Sequence, residues 1–124
     1  MSAIRVGVLD DSATARLVTT RLLSRVGYET LEFETPEQLL EAIGSLDIIL
    51  MDLSMGEVDG RDVASRIAEL GGGKPAVPLI AVTAFVTPEL DSDPRAKHFV
   101  DYLHKPFRPE QLYDKIEKWA GPKL

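Results

Sequence analysis

Residues 47–60, DIILMDLSMGEVDG, carry the reading that decides the fold. Ile48 to Met51 has no polar face, and the run is bounded by acids at Asp47 and Asp52. A stretch this short and apolar all round suits a parallel strand covered by helices on both sides. Asp52 then sits at the carboxyl end of a strand, the edge where open α/β sheets bind their ligands.

The pattern repeats outward from there. Ile4 to Leu9 is a second β-rich run ending in acid, at Asp10 and Asp11, and from Ser12 the apolar residues Val18, Leu22 and Val26 recur at helical spacing before Gly27. Tyr28 to Phe33 alternates like a strand. Thr35, Pro36 and Gln38 supply an N-cap, a first-turn proline and the third-position partner of a capping box, for a short helix through Ile43 stopped by Gly44. Val63, Ile67 and Leu70 mark a third helix, closed by Gly71, Gly72 and Gly73. Leu79–Val82 and Phe99–Leu103 read as the fourth and fifth strands. Between them Thr87 and Pro88 start a helix that Asp91-Ser92-Asp93-Pro94 interrupts within about two turns. The last helix has Pro109 in its first turn, Leu112, Ile116 and Trp119 on one face, and Gly121 with Pro122 as a stop.

Five strands each followed by a helix in 124 residues predict an open sheet, since a closed barrel needs roughly 250 residues. The expected fold is α/β: a flavodoxin-like, doubly wound, five-stranded parallel sheet of order 2-1-3-4-5 with helices on both faces, forming one domain over residues 1–124.

Composition narrows the function classes. Hydrophobic residues at 44% and charged residues at 27% are those of a folded globular chain. The absence of cysteine excludes a disulfide scaffold and a thiolate metal site and fits a reducing compartment. The longest uncharged segment, Pro75 to Pro88, carries three prolines and falls short of the roughly 20 residues a bilayer requires. A formal charge of −6 opposes phosphate backbones and anionic lipid, so neither direct nucleic-acid binding nor membrane association is expected, and the expected location is cytoplasmic.

In the 2-1-3-4-5 order the first and third strands are neighbours, which brings Asp10, Asp11 and Asp52 to one switch point. Two carboxylates about 4 Å apart repel by roughly 4 kcal/mol at an effective dielectric of 20, so the cluster asks for an offsetting cation. Oxygen ligands without His or Cys suit a hard divalent ion, Mg²⁺ first, which keeps several waters and takes one or two carboxylates. Thr83, at the end of the fourth strand, and Lys105, after the fifth, reach the same edge. A carboxylate nucleophile, a magnesium site, a hydroxyl donor and an ammonium are the parts that place and neutralise a transferring phosphoryl group, and an ionised carboxylate needs no general base. Each residue alone is ordinary; the shared edge singles them out. His98 and His104 lack ligand-spaced company and read as a packing residue and a surface residue. Gly71-Gly72-Gly73-Lys74 lacks the first glycine of a phosphate loop, ends in Pro75 and follows a helix, so it reads as a linker.

Asp10-Asp11-Ser12, Asp52 with Met55 and Asp59-Gly60, Thr83-Ala84, and Tyr102 ahead of Lys105-Pro106 together resemble response-regulator receiver domains of the single-domain chemotaxis type. The resemblance covers essentially the whole chain. It implies a phosphoacceptor of two-component signal transduction that catalyses only its own phosphorylation and dephosphorylation. Asp52 would take the phosphoryl group from a phosphohistidine on a sensor histidine kinase or histidine phosphotransfer protein. Asp11, Asp52 and the backbone carbonyl of Ser54 would hold Mg²⁺ directly, with Asp10 acting through water. Lys105, Thr83 and the N–H of Ala84 would bind the phosphoryl oxygens. Thr83 and Tyr102 would form the switch read by a downstream protein. The alternatives are a phosphorylation-independent interaction module of the same fold, and a small magnesium-dependent phosphohydrolase, which adjacent rather than alternate acids after the first strand disfavour. Gly56 stands where the family commonly has proline and is expected to loosen the loop after Asp52. Lys97-His98-Phe99-Val100 replaces the family's small approach to the fifth strand.

Overall fold

The computed structural model describes residues 3–72, 77–84 and 92–121. Five parallel strands form one sheet: β1 (Arg5–Leu9), β2 (Glu29–Phe33), β3 (Ile48–Asp52), β4 (Leu79–Thr83) and β5 (Asp101–His104). Their order is β2-β1-β3-β4-β5, the order expected from the sequence. Val6 to Leu9 pair with Ile48 to Met51, and Ile49 to Asp52 with Leu79 to Val82, so the acids after β1 and at the end of β3 emerge side by side.

The pleat sorts each central strand between two cores. Ile48, Leu50, Ile80 and Val82 face one side with Val6, Val8 and Leu103. Ile49, Met51, Leu79 and Ala81 face the other with Leu9 and Phe33. Helix α1 (Ala13–Arg25) and the C-terminal helix (Pro109–Ala120) cover the first side through Leu23, Leu112 and Ile116. Helices α2 (Pro36–Ala42) and α3 (Gly60–Leu70) cover the second, with a 3-10 turn at Pro94–His98, through Leu39, Val63, Ile67 and Ala96. A two-sided core of this kind is why β3 reads as continuously apolar.

The caps follow the local chemistry. The Ser12 hydroxyl accepts from Ala15 N at 3.2 Å, and Thr35 with Gln38 closes the expected capping box. Two helical faces differ from expectation. In α1 the buried residues are Arg16, Thr20 and Leu23, while Val18 is 52% exposed; in α3 Leu70 is 69% exposed. The other expected positions do face inward, Val63 and Ile67 buried and Leu22 and Val26 packed on the core, so the apolar spacing erred at Val18 and Leu70 and left out Arg16. The fifth strand starts at Asp101 rather than Phe99, whose N–H closes the preceding turn on Ala96 O. The helix expected from Thr87 falls on residues 85–91, outside the described residues, but Pro94 does end up in a 3-10 turn, capped by the Asp93 carboxylate.

Candidate magnesium and phosphoryl site

Each of Asp10, Asp11 and Asp52 offers a carboxylate oxygen, and these atoms lie within 4.8 Å of one another at the carboxyl edge of β1 and β3. Asp10 and Asp52 are buried and Asp11 is exposed. Local backbone donors hold the two buried carboxylates: Ser12 N donates to Asp10 Oδ1 at 2.9 Å, and Ser54 N to Asp52 Oδ1 at 3.0 Å. The half-buried Lys105 ammonium stands 3.5 Å from Asp52 Oδ2 and 3.7 Å from Asp10 Oδ2. Burial pushes the Asp52 carboxyl above its ordinary range; the Ser54 N–H and Lys105 pull against that, and Asp10 adds to it. Three acids facing one lysine leave the pocket short of positive charge, and an all-oxygen donor set fits a small hard dication.

The remaining predicted residues share this edge. Thr83 is buried at the end of β4, its carbonyl accepts from Lys105 N at 2.8 Å, and Ala84 is exposed just beyond it. Tyr102 stands opposite Ala81, two residues before Thr83 along β4, and packs on the core that Ala81 joins. Its ring lies 6.4 Å from that of Phe99. The Lys105–Pro106 peptide is cis. A cavity of about 450 Å³ adjoins the acids, with Leu9, Val18, Leu22, Leu103 and Phe107 among its apolar lining. His98 is partly buried and His104 exposed, away from any ligand set among the described residues.

After Asp52 the chain folds into a small hairpin, Ser54–Met55 against Val58–Asp59. Gly56, at φ +61°, takes the first position of its two-residue turn, a conformation closed to proline, whose ring fixes φ near −65°. Glycine here builds the turn, and a Cβ on it would stand 3.6 Å from Asp11 Oδ2. Gly60 serves close approach, since a Cβ there would lie 2.6 Å from the carbonyl oxygen of Asp52.

Two features escaped the sequence reading. The first is Arg16, 7% exposed, whose Nη1 donates to the Asp10 carbonyl at 2.6 Å. The second is a charge cluster joining the start of α3 to the 3-10 turn. Arg61 Nη2 donates to Asp59 at 2.7 Å and Arg95 Nη2 to Asp93 at 2.7 Å. Across the gap, Arg61 reaches Asp93 at 3.1 Å and Arg95 reaches Asp62 at 2.6 Å. Hydrogen bonds from Arg61 hold the Asp59 carboxyl below its ordinary value, and those from Arg95 hold Asp93 down at about 2. The signal was present in the sequence as two Asp-x-Arg triplets, Asp59-Gly60-Arg61 and Asp93-Pro94-Arg95, in each of which the acid accepts from the arginine's own N–H at 2.9 Å.

Among known proteins, a family model described as the response regulator receiver domain matches residues 6–117. The sensor protein GacS of Pseudomonas syringae is 30% identical over 123 residues, which are 96% of this chain and 14% of GacS. The DNA-binding response regulator MtrA of Mycobacterium tuberculosis is 32% identical over 114 residues, 90% of this chain and 48% of MtrA. The chain thus spans at most about half the length of these two relatives. The response regulator protein TrrA of Thermotoga maritima, solved in complex with Mg²⁺ and BeF, superposes with a TM-score of 0.80 at 26% identity, over 94% of this chain and 98% of that one. No helix among the described residues is long and apolar enough to cross a membrane.

Proposed function

From the premise that this chain belongs to the response regulator receiver domain family of two-component systems, we propose that Asp52 is its phosphoacceptor, charged by the phosphohistidine of a sensor kinase or histidine phosphotransfer protein in the cytoplasm. The observation that carries the reading is the convergence of three carboxylate oxygens within 4.8 Å, with Lys105 3.5 Å from Asp52. An Asp52 carboxylate oxygen attacks phosphorus, the phosphorus–nitrogen bond of the donor breaks, and its electron pair stays on the leaving imidazole, which takes up a proton.

The residues fit Mg²⁺: Asp11, Asp52 and the Ser54 carbonyl would hold it, with Asp10 acting through water. Bound there, the ion supplies charge neutralisation for the phosphoryl oxygens. Lys105 holds the Asp52 carboxylate beforehand and then pairs with a phosphoryl oxygen, while Thr83 and the N–H of Ala84 hydrogen-bond the others. The new charge draws Thr83, and Tyr102, two residues off it in register on the same face, moves into the space released, presenting a changed surface to a downstream protein. One receiver unit over the whole of 1–124 and no turnover of outside substrates complete the proposal.

Mass spectrometry after incubation with a small phosphodonor and Mg²⁺ tests it. One phosphoryl group is expected on the unmodified chain and none on Asp52→Asn; equal labelling of that variant rejects Asp52 as acceptor. Many turnovers on a generic phosphate ester would instead favour the hydrolase.

A further inference from the structure

Arg16 is the one cation among the buried charged groups of the described residues. Burying a guanidinium is costly unless its donors find partners; Arg16 has one close hydrogen bond and two looser ion pairs, and its buried Nε makes no hydrogen bond. Nη1 donates to the carbonyl of Asp10 at 2.6 Å. Nε and Nη2 lie 3.4 Å from Glu32 Oε1 and 3.5 Å from Glu34 Oε1, at the end of β2 and just beyond it. The carbonyl it grips belongs to the peptide joining Asp10 to Asp11. The neighbouring peptides are held too: Asp10 N, in the peptide before it, donates to Phe33 O at 3.3 Å, and Arg16 N donates to Ser12 O at 3.0 Å at the start of α1. Rotation of the Asp10–Asp11 peptide would re-aim both carboxylates.

We infer that Arg16 is a positioning residue for the metal end of the site: anchored by Glu32 and Glu34, it sets the Asp10–Asp11 peptide and thereby the aim of the two carboxylates. The inference rests on the magnesium reading above and adds a residue to it. Groups that orient ligands without touching the ion typically change metal affinity by about 10–100-fold when removed.

The sign of the effect separates positioning from charge. If Arg16 acted only as a nearby positive charge, removing it would tighten the binding of a dication. As a positioning residue, its removal weakens binding. Mg²⁺ titration followed by calorimetry, alongside melting without metal, is the experiment. Arg16→Gln is expected to bind Mg²⁺ on the order of tenfold more weakly than the unmodified chain, and Arg16→Lys, which keeps the charge but not the fork, to fall between. A folded Arg16→Gln protein with unchanged or tighter Mg²⁺ affinity overturns the inference, whatever its melting temperature. Should the variants fail to fold, the unmodified chain decides. Its Arg16 guanidinium NMR signals are expected to shift along the same Mg²⁺ saturation curve as the Asp11 amide, and signals that stay still through saturation overturn the inference. Failure of the unmodified chain to take up Mg²⁺ at all would instead strike the magnesium reading itself.

Discussion

Two groups of charges in this fold, one at the carboxyl edge of the sheet and one between α3 and the turn before β5, are built on opposite plans. Asp10, Asp11 and Asp52 face one half-buried lysine, and the oxygens of two of them reach it only at 3.5 and 3.7 Å. Asp59, Asp62 and Asp93 face two arginines whose forks close to between 2.6 and 3.1 Å. The second group carries one net negative charge and is interlocked: each arginine forks onto the aspartate two residues before it, and single contacts from Arg61 to Asp93 and from Arg95 to Asp62 fix the start of α3 to the turn before β5. The first is left wanting a cation. Charge imbalance in a buried pocket is a binding site in waiting, whereas charge balance across two elements is a rivet; which one a cluster becomes depends on its cations more than on its acids.

The contrast can be broken most sharply at the acid pocket. Magnesium at 100 times its dissociation constant should stabilise the unmodified chain by about 2.7 kcal/mol. The double variant Asp10→Asn/Asp11→Asn should lose that gain entirely while melting higher than the unmodified chain without metal; differential scanning calorimetry with and without Mg²⁺ reads both effects. Gly60 joins the two regions, and Gly60→Ala should cost about 2 kcal/mol by driving a methyl group into the Asp52 carbonyl, measured by urea unfolding. A smaller loss, about 1 kcal/mol, is expected of Gly56→Ala from its left-handed backbone, again by urea titration. The gentlest change is at the rivet. Asp93→Asn should lower the melting temperature modestly at pH 6 and leave Mg²⁺ affinity alone. Because the folded Asp93 carboxyl sits at about 2, below its unfolded value near 3.9, its stabilising effect is complete above that unfolded value and disappears as the pH falls toward 2. Melting curves of the two proteins should therefore converge over that window, and an Asp93→Asn protein with altered Mg²⁺ affinity would join the two regions into one.

Most of the architecture was readable because strand burial leaves a local trace. The apolar runs ending at Leu9, Met51 and Val82 gave the central strands to within a residue, and the capping chemistry of Thr35-Pro36-Gln38 gave the start of α2. Convergence of Asp10, Asp11, Asp52, Thr83 and Lys105 followed from strand order alone. What stayed hidden was pairing at a distance. Arg16 reads as a surface residue in its own helix, yet it is buried against the Asp10 carbonyl, with its ion-pair partners, Glu32 and Glu34, lying 16 and 18 residues on. Arg95 finds Asp62 across 33 residues that no periodicity connects. Gly56 was legible as freedom and proved to be a turn, since positive φ is visible only once the hairpin is built.

Asp101 has a use of its own. At the first residue of β5 its carboxylate accepts from Tyr102 N at 2.8 Å, from Lys115 Nζ at 2.8 Å and from Trp119 Nε1 at 2.9 Å. The chain's single indole is thus tethered to the strand that bears Tyr102. Its fluorescence is a built-in optical gauge of that strand, readable on unlabelled protein in a stopped-flow cuvette.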